Sequence, residues 1–175
     1  MKTSAQWWAE CKADPEKFVR WLQRQYTGEV TAAQRIADVF AKYPPDNGKW
    51  VPIIDEIVHQ ERQHADWIAQ LLRVRGFQPQ LEESDKRYWA ETLPGIDDFF
   101  SASAVAAHAE AMRLERIKVI AEDSAAAEDV RNTFARILRD ELFHERAFRT
   151  MTSPEAYEAS RGNHAAGREA LGLVP

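Results

Sequence analysis

Two tetrapeptides, Glu61-Arg62-Gln63-His64 and Glu141-Leu142-Phe143-His144, constrain this chain more than any other feature. Each reads Glu-x-x-His. On an α-helix, residues i and i+3 project from one face, so each tetrapeptide aims a carboxylate and an imidazole at a common point. The two copies stand 80 residues apart (141 − 61), and a second repeat runs at almost the same offset. Glu29, followed by Arg35-Ile36, matches Glu110, followed by Arg116-Ile117, 81 residues on (110 − 29). The pattern predicts a duplicated helical hairpin. Each half carries a Glu on its first helix and Glu-x-x-His on its second.

The helix signals agree. Asp14-Pro15 is an N-cap followed by a first-turn proline, with Glu16 behind it. The helix it starts is predicted to run to about Tyr43, before Pro44-Pro45, with Glu29 inside its apolar stripe. Gly28, in mid-helix, costs on the order of 1 kcal/mol against Ala and is read as a close helix contact or a ligand approach. The loop Pro44–Gly48 folds the chain back, and a second helix is expected over about 51–76, with Glu61 and His64 in place of two apolar residues. Residues 77–96 read as a long crossover with a helical turn around Tyr88 and Trp89. A third helix over about 97–122 carries Glu110, and a fourth over about 125–152 carries Glu141 and His144. No period-two run competes. The fold class is therefore all-α, a four-helix bundle of two hairpins joined by one long crossover. Short extra helices are expected at the ends: one around Trp7, Trp8 and Cys11, and one from Ser153-Pro154-Glu155, before a mobile Gly-rich tail. One domain is expected over 1–175, with the bundle core at about 15–152 and an extension at 153–175.

Burial turns this pattern into chemistry. Six polar residues (Glu29, Glu61, His64, Glu110, Glu141 and His144) fall at core positions near the helix midpoints. An unpaired carboxylate in a dry core is costly or becomes protonated, and four converging carboxylates repel. Two divalent cations cancel four carboxylates, and two neutral imidazoles complete the set. Oxygen and imidazole donors without thiolate suit iron or manganese. A Glu from each of two helices plus Glu-x-x-His from each of the other two is the known ligand pattern of ferritin-like dinuclear centres.

Composition excludes several other classes. A net charge of −5 and no basic cluster count against a nucleic-acid partner. The single cysteine, Cys11, permits neither an intrachain disulfide nor a thiolate cluster. No apolar run is long enough for a membrane span, and the N-terminus lacks the apolar core of a signal peptide, so a cytoplasmic location is expected.

On these residues the chain resembles the ferritin-like di-iron carboxylate superfamily, nearest in pattern to rubrerythrin and bacterioferritin, over about residues 15–152. The resemblance implies that Glu29, Glu61, His64, Glu110, Glu141 and His144 are the ligands of two iron ions. Glu61 and Glu141 would bridge, and Glu29 and Glu110 would be terminal. A manganese or mixed pair fits the same donors. Rubrerythrins carry a second carboxylate one turn after the third-helix Glu, where this chain has Arg113. They also commonly carry a Cys-rich rubredoxin domain, absent here. Bacterioferritin-like chains place an Asp before each bridging Glu to hold the opposite His. Asp140 fits that role towards His64, but Gln60 stands before Glu61.

The expected function is oxidoreductase chemistry with O2 or hydrogen peroxide at a dinuclear iron centre. A small organic substrate and an electron donor are implied without being identified, and a homodimer is expected. Two other readings stay open: a ferroxidase or iron store, which needs a hollow oligomer, and a metal-free helical scaffold. Among the remaining residues, Tyr26 lies one turn before Glu29 and is read either as a hydrogen-bond partner of a ligand or as core packing. Trp67 is read as packing, and Glu115, Glu145, His59, His108 and His164 as surface groups. Arg35 and Arg116 are expected to pair with acids between helices.

Overall fold

The computed structural model describes residues 3–173. Its described residues form α-helices, a short 3-10 turn and loops, with no strand. Four long helices make the bundle: α2 (Pro15–Lys42), α3 (Val51–Arg73), α5 (Phe99–Ala121) and α6 (Glu128–Met151). Shorter helices flank them: α1 (Ser4–Ala13), α4 (Arg87–Thr92), α7 (Pro154–Ala159) and α8 (Arg161–Ala170). None is long and apolar enough to cross a membrane.

Local chemistry sets the ends. Asp14 caps α2 by accepting from the Lys17 amide at 3.0 Å, with Pro15 in the first turn. Asp98 and Ser101 form a capping box at the start of α5. After α3, Gly76 takes φ +82°, and the Phe77 amide donates back to the Leu72 carbonyl at 3.1 Å. This closes a glycine-dependent helix stop. The crossover then runs along α2 and is fastened to it. Gln23 Nε2 donates to the Gln78 carbonyl at 2.8 Å and its Oε1 accepts from the Gln80 amide at 3.0 Å, while Thr27 Oγ1 accepts from the Glu82 amide at 3.0 Å.

The two hairpins, α2 with α3 and α5 with α6, are each tightly packed, whereas α2 and α5 scarcely touch. Two apolar clusters fill the bundle. One gathers Ile36, Phe40, Ile57, Phe99, Val105 and Phe148. The other gathers Trp8, Trp21, Leu22, Ile68, Ile120 and Phe134. Every bundle helix contributes to both clusters, so its middle lies between them. Glu29, Glu61, His64, Glu110, Glu141 and His144 occupy those middles, each at most 4% exposed.

The C-terminal segment differs from its expected mobility. Residues after 152 form α7 and α8, and α8 packs on α4. Gly167 permits the contact: a Cβ there would meet Tyr88 Cδ2 at 2.6 Å. His164 Nδ1 and the Tyr88 hydroxyl lie 2.8 Å apart. Gly28, by contrast, makes no close helix contact, since a Cβ there would meet nothing within 4 Å. It lines the open seam between α2 and α5.

Candidate metal centre

Helical spacing brings the six side chains together from four helices: Glu29 on α2, Glu61 and His64 on α3, Glu110 on α5, and Glu141 and His144 on α6. They form two overlapping donor sets. Glu29, Glu61, His64 and Glu141 make one, and Glu61, Glu110, Glu141 and His144 make the other, with ligand atoms in each set within 4.8 Å of one another. Glu61 and Glu141 belong to both.

Each imidazole is oriented from behind. His64 Nε2 faces Asp140 Oδ2 at 3.3 Å, and His144 Nε2 faces Gln60 Oε1 at 2.8 Å. Carboxylate and amide oxygens only accept, so Nε2 carries the hydrogen and Nδ1 points inward. His64 Nδ1 stands 3.8 Å from Glu29 Oε2 and 3.6 Å from Glu141 Oε1. His144 Nδ1 stands 3.2 Å from Glu61 Oε1 and 3.6 Å from Glu141 Oε2. Both Nδ1 atoms, both Glu141 oxygens and Glu110 Oε2 are buried without a hydrogen bond. Buried polar atoms are almost always satisfied. Buried carboxylate oxygens and inward imidazole nitrogens converging on one region fit a site for metal ions.

One further side chain enters this space. Arg113, one turn after Glu110 on α5, sends Nη2 to Glu29 Oε2 at 2.5 Å and to Glu141 Oε1 at 2.7 Å. Its Nη1 lies 3.2 Å from Glu61 Oε2 and 3.7 Å from Glu110 Oε2. The guanidinium fixes the ionisation pattern. Burial alone would raise all four carboxyl groups, but Arg113 holds Glu29 below and Glu141 well below the usual range. Burial pushes Glu110, the carboxylate most distant from it, well above that range, with help from the Glu141 charge. Burial would lower both imidazoles, yet the facing carboxylates outweigh it. His64 is held up at about 10 and His144 at about 9.

A cavity of about 680 Å³ leads from the open α2–α5 seam to Glu29, Glu110 and Arg113. Ile36, Phe40, Val105 and Trp89 line it with Arg35.

A model of the rubrerythrin family matches residues 16–152. The chain belongs to the rubrerythrin family. No curated protein and no solved structure matches it. Membership of the rubrerythrin family places the bundle in the ferritin-like di-iron carboxylate superfamily and agrees with residues able to hold metal at its centre.

Within this rubrerythrin-family chain several other residues stand apart from their expected places. Tyr26 does not: it packs against the second apolar cluster, as its core reading expects, and among the described residues no hydrogen bond joins it to Glu29. His108 is buried rather than at the surface, with its ring 4.0 Å from that of Tyr157 and 4.5 Å from that of His164. His164 is half-buried rather than solvated, because α8, which carries it, packs on α4 and sets its ring against Tyr88. Among the described residues Arg35 and Arg116 pair with aromatic faces rather than acids: Arg35 lies 3.8 Å over Trp89 and Arg116 4.9 Å over Trp7. Gln60 and Arg113 are the site residues that sequence reasoning recorded only as departures. The signal for Arg113 was its i+3 spacing from Glu110, which puts both on one helix face. The signal for Gln60 was its position immediately before Glu61, which mirrors that of Asp140 before Glu141.

Proposed function

We propose that Glu29, Glu61, His64, Glu110, Glu141 and His144 hold two divalent metal ions, iron foremost, and that the protein is an oxidoreductase acting with O2 or hydrogen peroxide. One observation carries this reading: two donor sets that share Glu61 and Glu141, with inward Nδ1 atoms left unpartnered. Bound there, an iron pair supplies a redox couple and a coordination position open to O2 or peroxide.

The residues of the chain do the rest. Glu61 and Glu141 present oxygens to both sets and would bridge. Glu29 and Glu110 each close one side. Asp140 and Gln60 fix the imidazole rings, and such outer partners typically change metal affinity about 10–100-fold. The apolar clusters above and below keep water from the ligands, and the α2–α5 seam admits a small molecule. Its lining includes Arg35, which has no ion pair among the described residues and stacks on Trp89.

Peroxide reduction consumes two electrons and two protons. The one thiol, Cys11, is fully buried and pushed up to about 11 by that burial, so the chain offers no dithiol and the electrons come from a separate donor. Elemental analysis of the purified protein, followed by stopped-flow mixing of the ferrous form with O2 and with hydrogen peroxide, tests the reading. Two metal ions per chain and a rapid spectral change with one of the oxidants are expected. A protein that binds no metal, or a ferrous form inert to both oxidants, would remove it.

A further inference from the structure

The two donor sets are equivalent in the sequence repeat but not in charge. Arg113 Nη2 contacts Glu29 Oε2 at 2.5 Å and Glu141 Oε1 at 2.7 Å. Those are the same two oxygens that His64 Nδ1 faces at 3.8 Å and 3.6 Å. A nitrogen of the guanidinium therefore stands inside the Glu29–His64 set. In the other set, His144 Nδ1 faces Glu61 Oε1 and Glu141 Oε2. There the guanidinium approaches less closely, through Nη1, 3.2 Å and 3.3 Å from the two oxygens of the shared Glu61 and 3.7 Å from Glu110 Oε2.

A guanidinium is always charged and cannot ligate a metal. Metal–oxygen bonds of about 2.0–2.2 Å at Glu29 Oε2 and Glu141 Oε1 leave no room for Nη2. Charge points the same way. With carboxylates ionised and both imidazoles stripped of the protons they carry in the metal-free protein, four Glu and Arg113 sum to −3. One divalent ion brings the centre to −1. A second with Arg113 still in place would leave +1 in a dry core, whereas a second with Arg113 outside leaves zero. The way out is open, because the Arg113 side chain is 25% exposed and lines the cavity in the α2–α5 seam.

We propose that Arg113 is a built-in counter-cation occupying the Glu29–His64 half of the centre. The first divalent ion then enters the set of Glu61, Glu110, Glu141 and His144, and the second enters only as the guanidinium swings into the seam. This inference rests on the metal reading above and adds an order of filling and a competitor.

Anaerobic titration with Mn2+, followed by calorimetry and by electron paramagnetic resonance, tests it. Mn2+ stays divalent, and the spectrum separates a lone ion from a spin-coupled pair. The wild-type protein should fill in two steps, the lone-ion signal growing first and the coupled signal replacing it. Arg113→Gln should tighten the weaker step roughly 5–150-fold, the usual range for coupled sites, and change the tighter step much less. Arg113→Lys, which keeps the charge, should retain two steps. Two single variants locate the steps without touching Arg113: Glu110→Gln should abolish the tighter one and Glu29→Gln the weaker one. Simultaneous filling in the wild type, an unchanged weak step in Arg113→Gln, or a tight step lost with Glu29→Gln instead would overturn the inference and leave the metal reading standing. Failure of both wild type and Arg113→Gln to bind Mn2+ would remove the metal reading itself.

Discussion

His64 and His144 occupy repeat-related positions and present the same nitrogen inward, yet they are held by different chemistry. A carboxylate stands behind His64, as Asp140 Oδ2 at 3.3 Å, and a neutral amide behind His144, as Gln60 Oε1 at 2.8 Å. The anionic partner raises the basicity of the imidazole it holds, whereas the amide only orients the ring. The same half that receives the extra negative charge also receives Arg113. The repeat thus fixes where the ligands point, and the residues that differ between its copies decide how each half is charged. A repeat in sequence guarantees geometry more firmly than it guarantees affinity.

The largest expected effect removes the distinction between the halves altogether. Glu61→Ala or Glu141→Ala takes an oxygen from both donor sets, so each single variant should lose both ions by elemental analysis. Retention of one ion by either variant would show that the halves do not share that carboxylate. A smaller effect should fall on one half only. Asp140→Ala should weaken the His64 half by about 10–100-fold, and Gln60→Ala should weaken the His144 half towards the low end of that range. Gln60→Asp should make the halves alike, with the two calorimetric affinities drawing closer.

Proton release sharpens the comparison further. His64 is held up at about 10 and His144 at about 9 in the metal-free protein, so both carry a proton at neutral pH. Each ion must expel one. Affinity should therefore fall as pH falls, by about tenfold per ion per pH unit below those values. Calorimetry in buffers of different ionisation enthalpy should count at least two protons released at neutral pH, one from each imidazole and any that burial keeps on Glu110. A count of zero would mean that the imidazoles are already neutral. The smallest effect serves as a control remote from both halves. Gly167→Ala forces a Cβ against Tyr88 and should destabilise the fold by about 1–3 kcal/mol in thermal unfolding, while leaving both affinities unchanged.

Much of this was legible in the sequence for physical reasons. The helix ends are marked by residues whose backbone chemistry is local, such as Asp14-Pro15 and Gly76. The six central residues betray themselves because charge at a core position has few explanations. The contacts that escaped notice are those made by long or distant side chains. Arg113 registers in the sequence only as a missing carboxylate, until its side chain is seen to fold inward onto carboxylates from three other helices. The C-terminal segment reads as loose because its glycines are visible and the Tyr88 ring that Gly167 accommodates lies far away in sequence. His108 was expected outside because it precedes Glu110 by two residues, which turns it from the centre, but α7 and α8 cover the side to which it turns.

The seam between α2 and α5 carries one more consequence. Its walls beyond Glu29, Glu110 and Arg113 include Arg35 and, from α4 in the crossover, Trp89. The outer wall of the seam and the donor sets thus come from largely different residues of the chain. On the proposed function, substitutions along the crossover should change which molecules reach the centre while its ligand geometry stays intact.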